Sequence, residues 1–366
     1  MDPMTTPRLF TPIQLGPVTV RNRAWASPMC QYAVETRDGI VADWHLVQYG
    51  NLAASGWGLV MTEATAVSAE GRISPWDAGL WNDEQIAPWR RVTDFAHAQG
   101  ATIGVQLAHA GRKASTNRWW QGEPSGNVSL DDGGWLPVGP TAERVPGDEY
   151  TAEVTALDEA GIAAVVDDFA GAARRAEVAG FDVVEIHAAH GYLLHQFCSP
   201  LSNTRDDRWG GSFENRTRLV LAVVDAVREV WAGALVVRIS ASDWMAGGWE
   251  VDQSVLLARS FKEHGVDLVD VSTGGLLNAP IPVGPGYQVP FAEKVRLEAG
   301  LATSAVGLIT TAQQAEGILE AGQADAVMLA REALRDPMWA LRAAHDLGVE
   351  NEDAPWARPR WRGHWR

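Results

Sequence analysis

The chain has 366 residues, 46% hydrophobic and 21% charged, an ordinary globular composition with ample material for a core. Its net charge of −16 repels phosphate backbones and anionic headgroups, so neither nucleic acid nor a membrane surface is an expected partner. Two cysteines, Cys30 and Cys198, stand far apart with no Cys-x-x-Cys pair, which argues against an iron–sulfur cluster, a structural zinc site or a disulfide framework.

Residues 1–8 carry no apolar signal core, and nowhere do about 18 apolar residues run together to span a bilayer. A soluble, cytoplasmic protein is expected. In chain order, residues 9–20 read as a hairpin. Apolar runs of strand character follow at Ala24–Ser27, Gly58–Thr62, Thr102–Gln106, Asp182–His187, Leu235–Ile239, Leu268–Ser272, Thr303–Gly307 and Ala326–Ala330. Between them, apolar residues at three- and four-residue spacing predict helices, among them Ala160–Ala179, Asn215–Trp231 and Val251–His264. Gly180 and Gly265 sit where a left-handed residue ends a helix before the next strand.

Eight strands, each followed by a helix, predict an α/β fold: a closed (β/α)8 TIM barrel in a single domain over residues 1–366, its bottom closed by the hairpin. A doubly wound open sheet is the alternative, but no Gly-x-Gly-x-x-Gly turn follows the first strand. Residues 113–157, polar and rich in Gly, Pro and Trp, read as an extended active-site loop after strand three.

Barrel enzymes keep their reacting groups at the carboxyl ends of the strands. Here those ends carry Ser27-Pro28-Met29-Cys30, Glu63-Ala64, Gln106, His187 with His190, Arg238 and Arg331. Two imidazoles three residues apart, followed by Tyr192, leave one strand together. Imidazoles can donate hydrogen bonds to a substrate oxygen and a phenol can supply a proton, the equipment for polarising a carbonyl and protonating the carbon beside it. Arg238 interrupts an apolar run, which is poor placement for a solvated arginine. The same histidines, with His195 nearby, also admit a metal-ligating reading, although barrel metal sites usually recruit carboxylates too.

Taken together, Ser27-Pro-Met-Cys30-Gln-Tyr32, Glu63-Ala64, Gln106-Leu-Ala-His-Ala-Gly-Arg-Lys113, His187-Ala-Ala-His190-Gly-Tyr192, Ser202-Asn-Thr-Arg205, Gly210-Gly-Ser-Phe-Glu-Asn215-Arg216, Val237-Arg-Ile-Ser-Ala-Ser242 and Arg331-Glu-Ala-Leu-Arg-Asp-Pro337 make the sequence resemble the old yellow enzymes, flavin-dependent ene-reductases. Cysteine in the first motif resembles the thermophilic-like bacterial subgroup. The resemblance implies FMN as cofactor, NADPH or NADH as donor and an α,β-unsaturated carbonyl compound as small-molecule substrate. It implies that Ser27, Pro28, Met29, Cys30, Ala64, Gln106, Arg238, Gly307, Ala330 and Arg331 contact the flavin. His187 and His190 then hold the substrate oxygen, Tyr192 is the proton donor, and Tyr32, Ile73 and Lys113 lie at the substrate mouth.

Three departures stand out. Relatives often have Gly-Arg where this chain has Ala330-Arg331, which would strain Ala330 if its backbone needs a positive φ. Trp209 replaces a frequent Tyr. The basic, aromatic tail over residues 355–366 resembles the subgroup's C-terminal arm, which enters the neighbouring subunit's active site in a homodimer or homotetramer, with Arg362 or Trp361 as the residue that arrives. Tryptophans 119, 120, 135, 244 and 249 are expected on the catalytic face. The rival readings are a metal-dependent hydrolase on a TIM barrel and a non-catalytic flavin-binding protein.

Overall fold

The structure, a computed structural model, describes residues 6–143 and 152–365. The hairpin is formed by β1 (Ile13–Leu15) and β2 (Val18–Val20), antiparallel. Then come β3 (Ala24–Ala26), α1 (Asp43–Ala53), β4 (Leu59–Ala66), α2 (Ile86–Ala98), β5 (Thr102–Ala108), β6 (Val138–Gly139), β7 (Thr155–Ala156) and α3 (Glu159–Ala179). The chain continues through β8 (Val183–Ala188), α4 (Leu193–Cys198), α5 (Phe213–Val230), β9 (Ala234–Ser240), α6 (Val251–Glu263) and β10 (Leu268–Ser272). It ends with α7 (Val289–Ala299), β11 (Ala302–Ala305), α8 (Ala312–Glu320), β12 (Ala326–Leu329), α9 (Arg331–Arg335) and α10 (Trp339–Asp346). Strands β3, β4, β5 and β8 to β12 close into the expected parallel (β/α)8 barrel. The loop after β5 carries β6 and β7, which pair in parallel; its residues 144–151 lie outside the described residues.

Alternation along the strands builds the core in two shells. Val184, Ile186, Val237, Ile239, Val269 and Val271 face out to the helices, where α3 lays down Ile162, Val165, Phe169 and Ala173. Trp25, Leu59, Met61, Val183, Val236, Leu268 and Met328 face in and fill the lower barrel together with Leu15 and Val20 of the hairpin. Further up the same inward faces the chain switches to polar residues: Glu185 and His187 on β8, Arg238 on β9, Asp270 and Ser272 on β10. The apolar lower layer is the plug; the polar upper layer is the site.

The helices begin and end where local chemistry requires. Asp158 accepts the Gly161 N–H at 2.8 Å to cap α3, and Gly180 at φ 86° ends it. The Ser202–Arg205 motif is scaffold. Asn203 donates to the carbonyls of Phe197 and Trp209, and Arg205 donates to those of Pro140 and Leu157, tying the chain after α4 to the β6 and α3 region. Trp209 is buried and donates to Glu159 Oε1 at 2.8 Å, a packing role. Among the described residues no helix is long and apolar enough to cross a membrane.

Candidate active site

Strand register brings the key groups side by side. Gln106 pairs with Glu185, and His187 pairs with Arg238, which itself pairs with Asp270. Gln106 Nε2 donates to Glu185 Oε1 at 2.6 Å, so the Gln106 carbonyl oxygen is left without a protein partner among the described residues. Arg238 Nε lies 3.0 Å from Asp270 Oδ2, and Ser304 donates to the other Asp270 oxygen at 2.8 Å. The terminal nitrogens of Arg238 have no partner among the described residues, so they remain available to an anion above the barrel mouth.

Two buried carboxyls thus face one guanidinium. Burial raises the Glu185 pKa to about 8, with Asp270 adding to the rise and Arg238 opposing it. Asp270 is raised as well, again by burial first. One proton shared in this group removes the excess negative charge, which an enclosed site could otherwise hold only at great cost.

Above this floor stand the imidazoles. The Ala189 N–H donates to His187 Nδ1 at 3.3 Å, which leaves the ring hydrogen on Nε2, an atom with no partner among the described residues. Burial, then the positive charge of Arg238, holds both His187 and His190 well below the usual histidine range, so both rings are neutral at pH 7. His187 meets His190 at 5.2 Å and Tyr192 at 5.0 Å, ring centre to ring centre, edge to face in each case. Gly191, at φ 72°, makes this crossing possible: a Cβ there would stand 2.4 Å from the Gly275 carbonyl oxygen. Among the described residues no three His, Cys, Asp or Glu side chains gather closely enough to hold a metal ion, and His195 turns away to Asp243 at 2.9 Å.

One wall of the site is apolar. Ala64, Ile73, Ala108, Ala110 and Ala114 form a small cluster against which Cys30, Tyr32, Trp135 and Tyr192 pack. Glu63 fixes this wall from behind: it accepts from the Gln31 N–H at 2.8 Å and from the Tyr49 hydroxyl at 2.9 Å, pinning the chain that carries Met29 and Cys30. A register shift between Met61 and Ala64 marks the same place in β4. Burial pushes the Cys30 thiol far up, so it is a neutral thiol. Lys113 lies 5.9 Å from the Tyr192 ring centre with its ammonium taken up by the carbonyls of His190 and Gly275.

On the opposite side, Gly307, Ala330 and Arg331 line one recess with Tyr287, Gln288 and Arg335. Gly307 has φ 119°, and a Cβ there would stand 2.9 Å from Gln288 Nε2. Ala330 has φ −100°, so the strain expected of alanine in that position does not arise. Three non-glycine residues at the site do hold the left-handed conformation: Tyr32, His190 and Leu308 at φ 53°, 56° and 52°. Backbone held in so sparsely populated a region is characteristic of functional sites.

The tail folds back on its own chain. Arg360 donates to Ser55 Oγ at 2.6 Å and Asn51 Oδ1 at 2.8 Å beside the end of α1, while Trp365 stacks on His345 of α10 at 5.2 Å. Trp361 and Arg362 are exposed there, so the structure does not bring them to this chain's own strand ends. Nor do all the expected tryptophans shape the mouth. Trp120 donates to the Gln31 carbonyl and Trp135 to that of Glu70, but Trp249 is core, stacked on Phe213 at 5.9 Å. Sequence reasoning missed Glu185, Asp270, Ser272 and Gln288. The signal for Asp270 was present: an acid inside the apolar run Leu268–Ser272 is as conspicuous as Arg238 in its own.

Residues 8–350 match the model of the NADH:flavin oxidoreductase / NADH oxidase family. The chain belongs to this family. It is 49% identical over 348 residues to an NADPH dehydrogenase of Listeria innocua, covering 95% of this chain and 97% of the relative. A Geobacillus NADPH dehydrogenase is 48% identical over 341 residues, covering 93% and 95%. Among solved structures, morphinone reductase superposes with a TM-score of 0.78 at 29% identity, covering 93% of this chain and 90% of that one. The old yellow enzyme homologue of Zymomonas mobilis gives 0.76 at 27%, covering 97% and 96%. As a member of this flavin oxidoreductase family, the protein is an FMN-dependent NAD(P)H oxidoreductase acting on a small molecule. The residues present fit FMN. Among the described residues, Arg238 offers unpaired donors for an anionic ring edge, Gln106 offers an acceptor, and the Ser27 hydroxyl is enclosed without a partner at the end of β3.

Proposed function

We propose that the protein reduces the activated C=C bond of α,β-unsaturated carbonyl compounds in a ping-pong cycle, with NADPH or NADH as donor. The observation that carries this reading is His187 Nε2–H, a neutral donor with no partner among the described residues, held 5.0 Å ring to ring from Tyr192 above the Arg238 and Gln106 floor. FMN, when bound, would supply the hydride-transfer chemistry between the nicotinamide and the alkene. Arg238 and Gln106 would hold its pyrimidine edge, and Ser27, Pro28, Met29, Cys30 and Ala64 its ring. Gly307, Ala330 and Arg331 would hold its phosphate.

His187 and His190 grip the substrate oxygen, and their hydrogen bonds strengthen as negative charge builds on it. A neutral imidazole is the right donor, since it polarises the carbonyl without surrendering its proton. Tyr192 delivers the proton to the α-carbon, on the side where its ring crosses His187. Tyr32 and Ile73 present an apolar wall that excludes water from the same space, and Lys113 braces the turn between His190 and Tyr192 through its backbone contacts.

The test is a pair of half-reactions followed anaerobically by flavin absorbance. NADPH should bleach wild type and Tyr192→Phe at rates within a factor of about 2, whereas reoxidation by 2-cyclohexen-1-one should slow about 100-fold in the variant. Equal slowing of both halves would remove Tyr192 as proton donor. A wild-type flavin that NADPH bleaches but enones never reoxidise would overturn the substrate class.

A further inference from the structure

His187 and His190 differ in what fixes their ring hydrogens. His187 is fixed by a backbone N–H, but His190 has its Nε2 against the Ser272 hydroxyl at 2.8 Å, at the end of β10. Its Nδ1 has no partner among the described residues. The His190 backbone leaves the ring little choice of position: its N–H donates to Ser240 Oγ at 2.9 Å, and its φ is 56°. Which nitrogen carries the hydrogen therefore depends on where Ser272 sends its single proton.

Two arrangements compete. In one, Ser272 donates to Gln288 Oε1 and accepts from His190 Nε2–H, which leaves a bare lone pair on Nδ1. In the other, Ser272 donates to His190 Nε2 and the hydrogen sits on Nδ1. The distances decide between them. Ser272 Oγ to Gln288 Oε1 is 3.2 Å, beyond the usual hydroxyl range of about 2.5–3.0 Å, and that oxygen already accepts from the Thr273 hydroxyl at 2.7 Å. The contact to His190 at 2.8 Å is the well-formed one. Gln288 in turn donates to the Val306 carbonyl at 3.2 Å, beside Gly307, so the acceptor that would compete for the Ser272 proton is itself anchored.

We propose that Ser272 is a positioning residue that holds His190 in its Nδ1–H form by donating to Nε2. Resting on the reading of the two histidines as the grip on the substrate oxygen, this gives that grip two N–H donors rather than one donor and one lone pair. A lone pair facing a carbonyl oxygen would repel it.

The experiment is long-range proton–nitrogen correlation NMR on flavin-loaded protein with ¹⁵N-labelled histidine, the His190 signals being assigned from their loss in His190→Ala. Wild type should show His190 protonated at Nδ1 and bare at Nε2. Ser272→Ala should shift it toward the Nε2–H form, and Ser272→Thr, which keeps the hydroxyl, should restore the wild-type pattern. A wild-type His190 protonated at Nε2 would overturn the proposal, as would an Nδ1–H form that persists in Ser272→Ala. At matched flavin occupancy, Ser272→Ala should slow reoxidation by 2-cyclohexen-1-one about tenfold, the loss of one hydrogen bond to developing charge. If the tautomer shifts as expected but enone reduction does not change, the Ser272 assignment stands and the two-histidine grip fails.

Discussion

Glu185 shows how much a single residue gains from its surroundings. It accepts a hydrogen bond from Gln106 on one oxygen, while its other oxygen is enclosed with no partner among the described residues. Burial lifts its pKa from the ordinary 4.5 to about 8. The native state therefore keeps a proton that the unfolded chain releases above pH 4.5, so this group's contribution to stability is full in acid and is lost as pH rises to about 8. Glu185→Gln keeps the acceptor for Gln106 and abolishes the titration. Its apparent Tm should exceed wild type by several degrees at pH 8 and differ little at pH 5, measured at saturating FMN. Parallel Tm–pH curves for the two proteins would show that Glu185 is ionised throughout. None of this was legible in the sequence: Glu185 lies two residues from His187 and so shares its face, but its partners come from β5, β9 and β10. Only barrel closure brings two acids to one arginine. His187, His190, Tyr192 and Arg238 were legible because each breaks an apolar run or leaves a strand end, and because their motifs resemble a known family.

At the scale of elements, seven of the eight barrel strands were legible to within a residue or two because a buried parallel strand is a short apolar run bounded by polar turns, whereas β4 runs four residues past the expected end at Thr62. The fifth expected strand, Leu235–Ile239, lies inside β9 with one residue added at each end, and the sixth, Leu268–Ser272, is β10 itself. The seventh ran too far. Thr303–Gly307 was expected, but β11 ends at Ala305, and Gly307 belongs to the turn that follows. That difference has chemical meaning, since the turn rather than the strand shapes the recess over Ala330 and Arg331. At φ 119° an L-residue is strained, and the added Cβ would press on Gln288 Nε2 at 2.9 Å and on the Tyr287 ring at 3.1 Å. Gly307→Ala should weaken FMN binding about 10- to 100-fold through strain of about 1–3 kcal/mol, read from the fluorescence of released flavin. Unchanged FMN affinity in a variant with a native circular dichroism spectrum would show that this turn does not hold the cofactor.

At the scale of the whole molecule, one feature outside the barrel is the C-terminal tail. That tail is basic and aromatic on a protein of net charge −16, and it is fastened at two points: Arg360 to Asn51 and Ser55, and Trp365 to His345, with Asn351 donating to the Trp365 carbonyl at 2.8 Å. Between those fastenings Trp361 stands 39% exposed and Arg362 is exposed beside it. A segment anchored at both ends presents an indole and a guanidinium outward, the side chains most enriched where proteins meet. We therefore expect the protein to be a homodimer or homotetramer in which the arm enters the adjacent site. Removing residues 355–366 should shift sedimentation toward monomer at micromolar concentration and raise the KM for 2-cyclohexen-1-one, leaving the flavin spectrum intact. Trp361→Ala and Arg362→Ala, made separately, identify which side chain arrives, by which of them raises KM without loss of association. A truncated protein that stays associated with an unchanged KM would confine the arm to bracing α1 and α10 of its own chain.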